Sequence, residues 1–127
     1  FLDLFFFKEV NDNSGHLRGS KLLKEVAQLM LGMIRNVDMA CRYGGDEFVV
    51  IMPGTSKHNA AGVAEKIRVA MKEHIFLTDE GLNLRLTGSF GVASIPEDSA
   101  TKEELLHMAD AAMYKIKTTS KDGVAEA

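Results

Sequence analysis

The chain has 127 residues, 46% of them hydrophobic, which is enough for one domain around a single core and too few for two. Its 15 basic and 18 acidic side chains leave a net charge of −3, so nothing global marks a nucleic-acid binder and only local basic patches stay open. No apolar run approaches the roughly 18 to 20 residues that span a bilayer, no signal-peptide pattern opens the chain, and Cys41, the one cysteine, reads as a core residue of a soluble intracellular protein.

Phe1 to Phe7 is almost wholly apolar and predicts a strand buried on both faces. Its one charged residue is Asp3, and a carboxylate in such a run is costly unless it is paired or metal-bound. Asn11 to His16 is a polar, turn-rich loop, and Gly19-Ser20 can cap an amphipathic helix from Lys21 to Ile34. Asp38 to Tyr43 and Phe48 to Met52 read as two strands joined through Gly44-Gly45, a hairpin in which glycine would supply the positive φ of a tight turn. That turn sets Asp46 and Glu47 at the rim of a sheet, where adjacent carboxylates repel unless a cation or a proton lies between them. The bland reading is a solvated acidic turn. With Asp3 on a neighbouring strand, the three oxygen donors suit magnesium better than zinc.

Thr55 or Ser56 caps a second helix reaching about Ile75, with Ala60, Val63, Ala64, Ile67 and Ala70 on its buried stripe. Leu82 to Ile95 predicts a strand in which Gly91 marks a bulge or a close backbone approach. Thr101 to Glu104 is a capping box that opens a third helix through Leu105, Leu106, Ala109, Met113 and Ile116, and a short last strand follows at Gly123 to Ala125. The order β, α, β, β, α, β, α, β describes an α/β sandwich of the ferredoxin-like kind, a mixed sheet of about five strands flanked by helices.

The run Arg42-Tyr43-Gly44-Gly45-Asp46-Glu47-Phe48 resembles the signature of GGDEF domains, the diguanylate cyclases of bacterial signalling. The resemblance continues through Asp3-Leu4 with Phe7-Lys8, Asn11-Asp12, Gly15-His16 with Gly19, Ser89 to Ala93, and Ala109-Asp110 through Tyr114 to Lys117. It implies one nucleotidyl-cyclase-like domain over residues 1–127 that lacks the helix and loop usually preceding it, with an upstream sensor or receiver domain and a cytoplasmic location. It further implies that two GTP molecules, one per copy of a homodimer, are condensed to cyclic di-GMP with Mg²⁺ or Mn²⁺.

By position, Asp3 and Asp46 would hold the metal with the Leu4 carbonyl, and Glu47 would support a second metal or deprotonate the attacking hydroxyl. Phe6, Phe7 and Lys8 would offer backbone amides to phosphate, with Gly44 and Gly45 approaching the nucleotide closely. Lys117 and Lys121 match the family's phosphate-binding cations, and Asn11 matches a guanine contact. The family's pattern carries a second Asp where Phe5 stands and a guanine-contacting Asp where Ser20 stands. The resemblance therefore leaves two readings open, a cyclase and a catalytically weak module that binds GTP or cyclic di-GMP.

Arg35-Asn36-Val37-Asp38 matches the family's Arg-x-x-Asp product-inhibition motif, with Lys66 where a secondary arginine often sits. On spacing alone, Arg35 reads as a cation at a helix C-terminus and Asp38 as an acid at a strand start.

Overall fold

The structure, a computed structural model, describes residues 1–5, 10, 12, 13 and 15–127. Its elements are β1 (Leu2–Phe5), α1 (His16–Leu31), β2 (Met39–Arg42), β3 (Glu47–Ile51), α2 (Lys57–Glu73), a 3₁₀ turn at Thr78–Glu80, β4 (Thr87–Val92), α3 (Lys102–Lys117) and β5 (Gly123–Glu126). The strands form one mixed sheet in the order β2-β3-β1-β4-β5, antiparallel throughout except for the parallel pair β4–β5.

β1 is the central strand, and its alternation sets the two faces. Leu2 and Leu4 point into the main core with Phe48 and Phe90, against Leu22, Val26 and Met30 of α1 and Ile67 and Met71 of α2. Each fully buried Leu, Phe or Met here contributes about 1.5 to 3 kcal/mol. Asp3 points to the other face, beneath α3. The two helices on β4 cover opposite faces: a Cβ at Gly88 would meet Met71 of α2, whereas one at Gly91, three residues on, would lie 2.0 Å from the Ala109 carbonyl and 2.4 Å from the Met113 nitrogen of α3. Gly91 is thus the close backbone approach that its sequence position suggested.

The caps follow the sequence. Ser56 accepts from the Asn59 N–H at 3.1 Å and Thr101 from the Glu104 N–H at 3.2 Å. Three expectations need correction. Helix α1 begins at His16, before Gly19-Ser20, because Gly15 at φ 87 sets its start; Gly19 lies buried inside the helix, which then stops at Leu31 with Gly32 as its cap. Leu82 to Ile95 is not one continuous strand: β4 covers only Thr87–Val92, Asn83 takes left-handed backbone, and of Leu82 to Leu86 only Leu84 bridges, to Phe76. Cys41 is exposed because β2 is an edge strand with little covering it.

Gly91→Ala should cost about 3 kcal/mol in urea unfolding, because the new methyl meets helix backbone that cannot step aside. Gly62→Ala, in open space within α2, should instead stabilise by about 0.5 to 1 kcal/mol. Equal midpoints for the two variants would show that α3 does not lie against β4 as described.

Candidate active site

Asp3 is opposite Ser89 on β4 and opposite Glu47 on β3, and only 3% of it is exposed. Apart from the Lys117 ammonium, no group among the described residues donates a hydrogen bond to either carboxylate oxygen. Among the described residues its one compensating charge is the Lys117 ammonium, which reaches from the end of α3 to ion-pair with Oδ2. Burial pushes the Asp3 carboxyl above the ordinary carboxylate range, Lys117 pulls it back and the neighbouring Asp46 pushes it up again, with a net rise. Lys117 is correspondingly held above the usual lysine range, chiefly by Asp3 against the cost of desolvation, with Asp46 and Glu47 adding to the effect. Three carboxylates, Asp3, Asp46 and Glu47, therefore act on the Lys117 ammonium.

The acidic turn is fastened on both sides. The Leu4 N–H donates to the Asp46 carbonyl at 3.0 Å, tying the turn to β1, and the Tyr43 and Gly44 N–H groups donate to the Glu47 carbonyl at 2.8 and 3.3 Å. Gly44 and Gly45 do not take the positive φ expected of them. Residues 43–46 form a longer loop between β2 and β3, so the mirror-image geometry of a two-residue turn is not required. What Gly44 supplies is room: a Cβ there would stand 2.8 Å from Glu47 Oε1, so the Glu47 side chain folds over the position. Gly45 opens onto empty space, which leaves its backbone accessible.

Sequence reasoning missed Arg42. Its Nε and Nη2 donate to the Gly44 and Gly45 carbonyls, both at 2.9 Å, clamping the turn from the β2 side. The available signal was an arginine two residues before a glycine pair whose carbonyls have no ladder partner.

Of the remaining site residues, Lys121 lies at the same end of β1, its ammonium 4.4 Å from the centre of the Phe5 ring. Ser20 is exposed on α1. Phe6, Phe7, Lys8 and Asn11 lie outside the described residues. No three His, Cys, Asp or Glu side chains among the described residues gather closely enough to enclose a metal by themselves.

Arg35 and Asp38 form a second locus beyond the far end of β2. Asp38 accepts from the Arg35 backbone N–H at 2.8 Å, from Nε and from Nη2, and Nη2 also donates to the Pro53 carbonyl and Thr55 Oγ1 at 2.8 and 2.9 Å. The guanidinium holds the Asp38 carboxyl below its ordinary range. Thr55, weighed above as a helix cap, serves this arginine instead. Both residues line a cavity of about 260 Å³ with Met33, Met52 and Asn59. Lys66 is exposed on the helical face that carries Asn59 and Val63.

Because burial disfavours the charged form of Asp3, Asp3→Asn should raise the urea midpoint at pH 7. A lower midpoint would mean that the ion pair with Lys117 outweighs the cost of burial.

A family model described as diguanylate cyclase, GGDEF domain, matches residues 1–123. Over 123 residues the chain is 38% identical to Diguanylate cyclase A of Treponema denticola, covering 97% of this chain and 33% of that protein. Among solved structures, the GGDEF domain of PA1120 (TpbB or YfiN) from Pseudomonas aeruginosa matches with a TM-score of 0.90 at 36% identity, covering 99% of this chain and 73% of that one. The GGDEF domain of DgcB from Caulobacter crescentus, in complex with c-di-GMP, matches with a TM-score of 0.86 at 31% identity, covering 98% and 74%. The chain spans about a third or less of the length of the curated relatives it matches.

Proposed function

Because the chain belongs to the GGDEF domain family, we propose that it condenses two GTP molecules, one on each of two facing copies, into cyclic di-GMP. The observation that carries this reading is the buried Asp3 carboxylate, which lies beside Asp46 and shares with it a single ammonium, Lys117, among the described residues. A folded protein keeps so costly a group only where something cationic is to meet it.

Mg²⁺ or Mn²⁺ fits these residues. Mg²⁺ is commonly held by one or two carboxylates together with substrate phosphates, so a closed protein cage is not needed. Asp3 and Asp46 would hold it with the Leu4 carbonyl. When bound, the ion stabilises the negative charge that gathers on phosphate oxygens during displacement. In the reaction, the 3′-oxygen of one GTP bonds to the α-phosphorus of the other as the bond to pyrophosphate breaks. Glu47, at the turn, takes the hydroxyl proton or supports a further metal. Lys117, partly exposed beside Asp3, would address the phosphates. Gly45 lets a nucleotide lie close to the backbone, and the Arg42 clamp keeps that backbone fixed.

A second reading, a GTP- or cyclic di-GMP-binding module with little turnover, draws on Phe5 and Ser20, which replace carboxylates of the family's pattern. At position 20, a neutral hydroxyl gives guanine a weaker acceptor than a carboxylate.

Incubation with GTP and Mg²⁺ should yield cyclic di-GMP on chromatography, and Asp46→Asn should lower the rate by about 100-fold or more. GTP binding without product would select the second reading, and absence of both would overturn the two together.

Arg35, whose fork suits a phosphate or a guanine edge, fits a product-binding site. Arg35→Ala should weaken cyclic di-GMP binding by about tenfold or more, as expected for lost charged hydrogen bonds, while GTP affinity stays unchanged. β2 separates the two loci by about 13 Å of strand, so inhibition at Arg35 would act through the arrangement of two copies and not by blocking the pocket. Equal cyclic di-GMP affinity in parent and variant would leave Arg35 as a clasp for its own loop.

A further inference from the structure

Asp3 and Phe5 project from the same face of β1, two residues apart, and each is met by a lysine from the end of α3. Lys117 ion-pairs with Asp3, whereas the Lys121 ammonium rests over the face of the Phe5 ring. The backbone that delivers Lys121 is constrained. Its N–H donates to the Ile116 carbonyl at 2.9 Å, and its φ of 59 is a left-handed conformation that lysine rarely adopts. The next residue, Asp122, is bound to α2 by Arg68 Nη1 and Lys72 Nζ, both at 2.7 Å. The turn is thus bolted down behind Lys121 while the ring steadies its side chain in front.

We propose that Phe5 is a positioning residue that aims Lys121 at the polyphosphate of the nucleotide without consuming its charge. The proposal rests on the GTP reading above. A carboxylate at position 5 would also hold the ammonium, but it would neutralise it. An aromatic face attracts the cation through its quadrupole and leaves the full positive charge for an incoming anion. Among the described residues Lys121 ion-pairs with no carboxylate, and it remains partly exposed. The residues that Lys117 and Lys121 meet, Asp3 and Phe5, lie one strand repeat apart, so the two ammonium groups address neighbouring positions along β1. On this account Phe5 does not mark a decayed metal site. It exchanges an acid for a neutral support, and the base it supports keeps its charge.

The test combines a spectroscopic and a binding measurement on Phe5→Leu, Phe5→Tyr, Lys121→Met and the double variant Phe5→Leu/Lys121→Met. In the parent, the ring should shift the Lys121 ε-methylene proton resonances upfield. The shift should be lost in Phe5→Leu and kept in Phe5→Tyr. In calorimetric titration with GTP and Mg²⁺, Phe5→Leu should weaken binding about three- to tenfold, Phe5→Tyr should bind like the parent, and Phe5→Leu should have no further effect once Lys121 is methionine. Phe5→Leu that binds GTP as the parent does, or that weakens it equally in both backgrounds, overturns the proposal. Failure of the parent itself to bind GTP overturns the nucleotide reading and this proposal with it, a result that the parent alone reveals.

Discussion

The fold is arranged around a carboxylate held almost out of water in the middle of a sheet. Asp3 can occupy that place because Leu2 and Leu4, on either side of it, anchor β1 in the main core, so the strand cannot shift to expose it. Moving β1 by one residue would turn both leucines to the wrong face. The second face must then bring a cation near, which requires α3 to lie very close to the sheet. Gly91 provides that closeness, and Lys117 at the end of α3 reaches Asp3 as a result. A buried charge without its partner is among the more expensive defects a domain can carry, so the approach of the helix and the burial of the acid depend on each other.

Much of this was legible in the sequence because the signals were local. Asp3 stood out as a charge in an apolar run, Gly91 as a lone glycine in a strand, and Thr101 and Ser56 as caps ahead of periodic helices. The order of strands and helices followed from apolar runs, helical periodicity, and cap and turn residues. What could not be read depended on side chains meeting across the fold. The clamp from Arg42 to the Gly44 and Gly45 carbonyls and the contact of Lys121 with Phe5 join residues whose adjacency appears only once the hairpin closes or α3 docks. Gly44 was singled out correctly but for the wrong reason, since steric room for Glu47 and positive φ both call for the same residue type.

The Arg35 locus shows how one side chain can satisfy two demands. Its guanidinium closes the loop between β3 and α2 through Pro53 and Thr55 while gripping Asp38 ahead of β2. The arginine is therefore already oriented on protein groups, and the product binding proposed for it would cost little further conformational freedom.

The chain end of α3 carries a further consequence. Most protein phosphate sites exploit the N-terminus of a helix, where free N–H groups and the positive end of the peptide dipole favour an anion. Here Lys117 and, just beyond the helix, Lys121 lie at a C-terminus, where the dipole is negative. An anion held there would be drawn by side-chain ammonium groups against an opposing backbone field. Its attraction is mostly long-range and carried by partly exposed charges, the kind that dissolved ions screen within about 8 to 10 Å. For the nucleotide proposed above, the share of binding that these two lysines supply would follow ionic strength more closely than any share supplied by backbone amides.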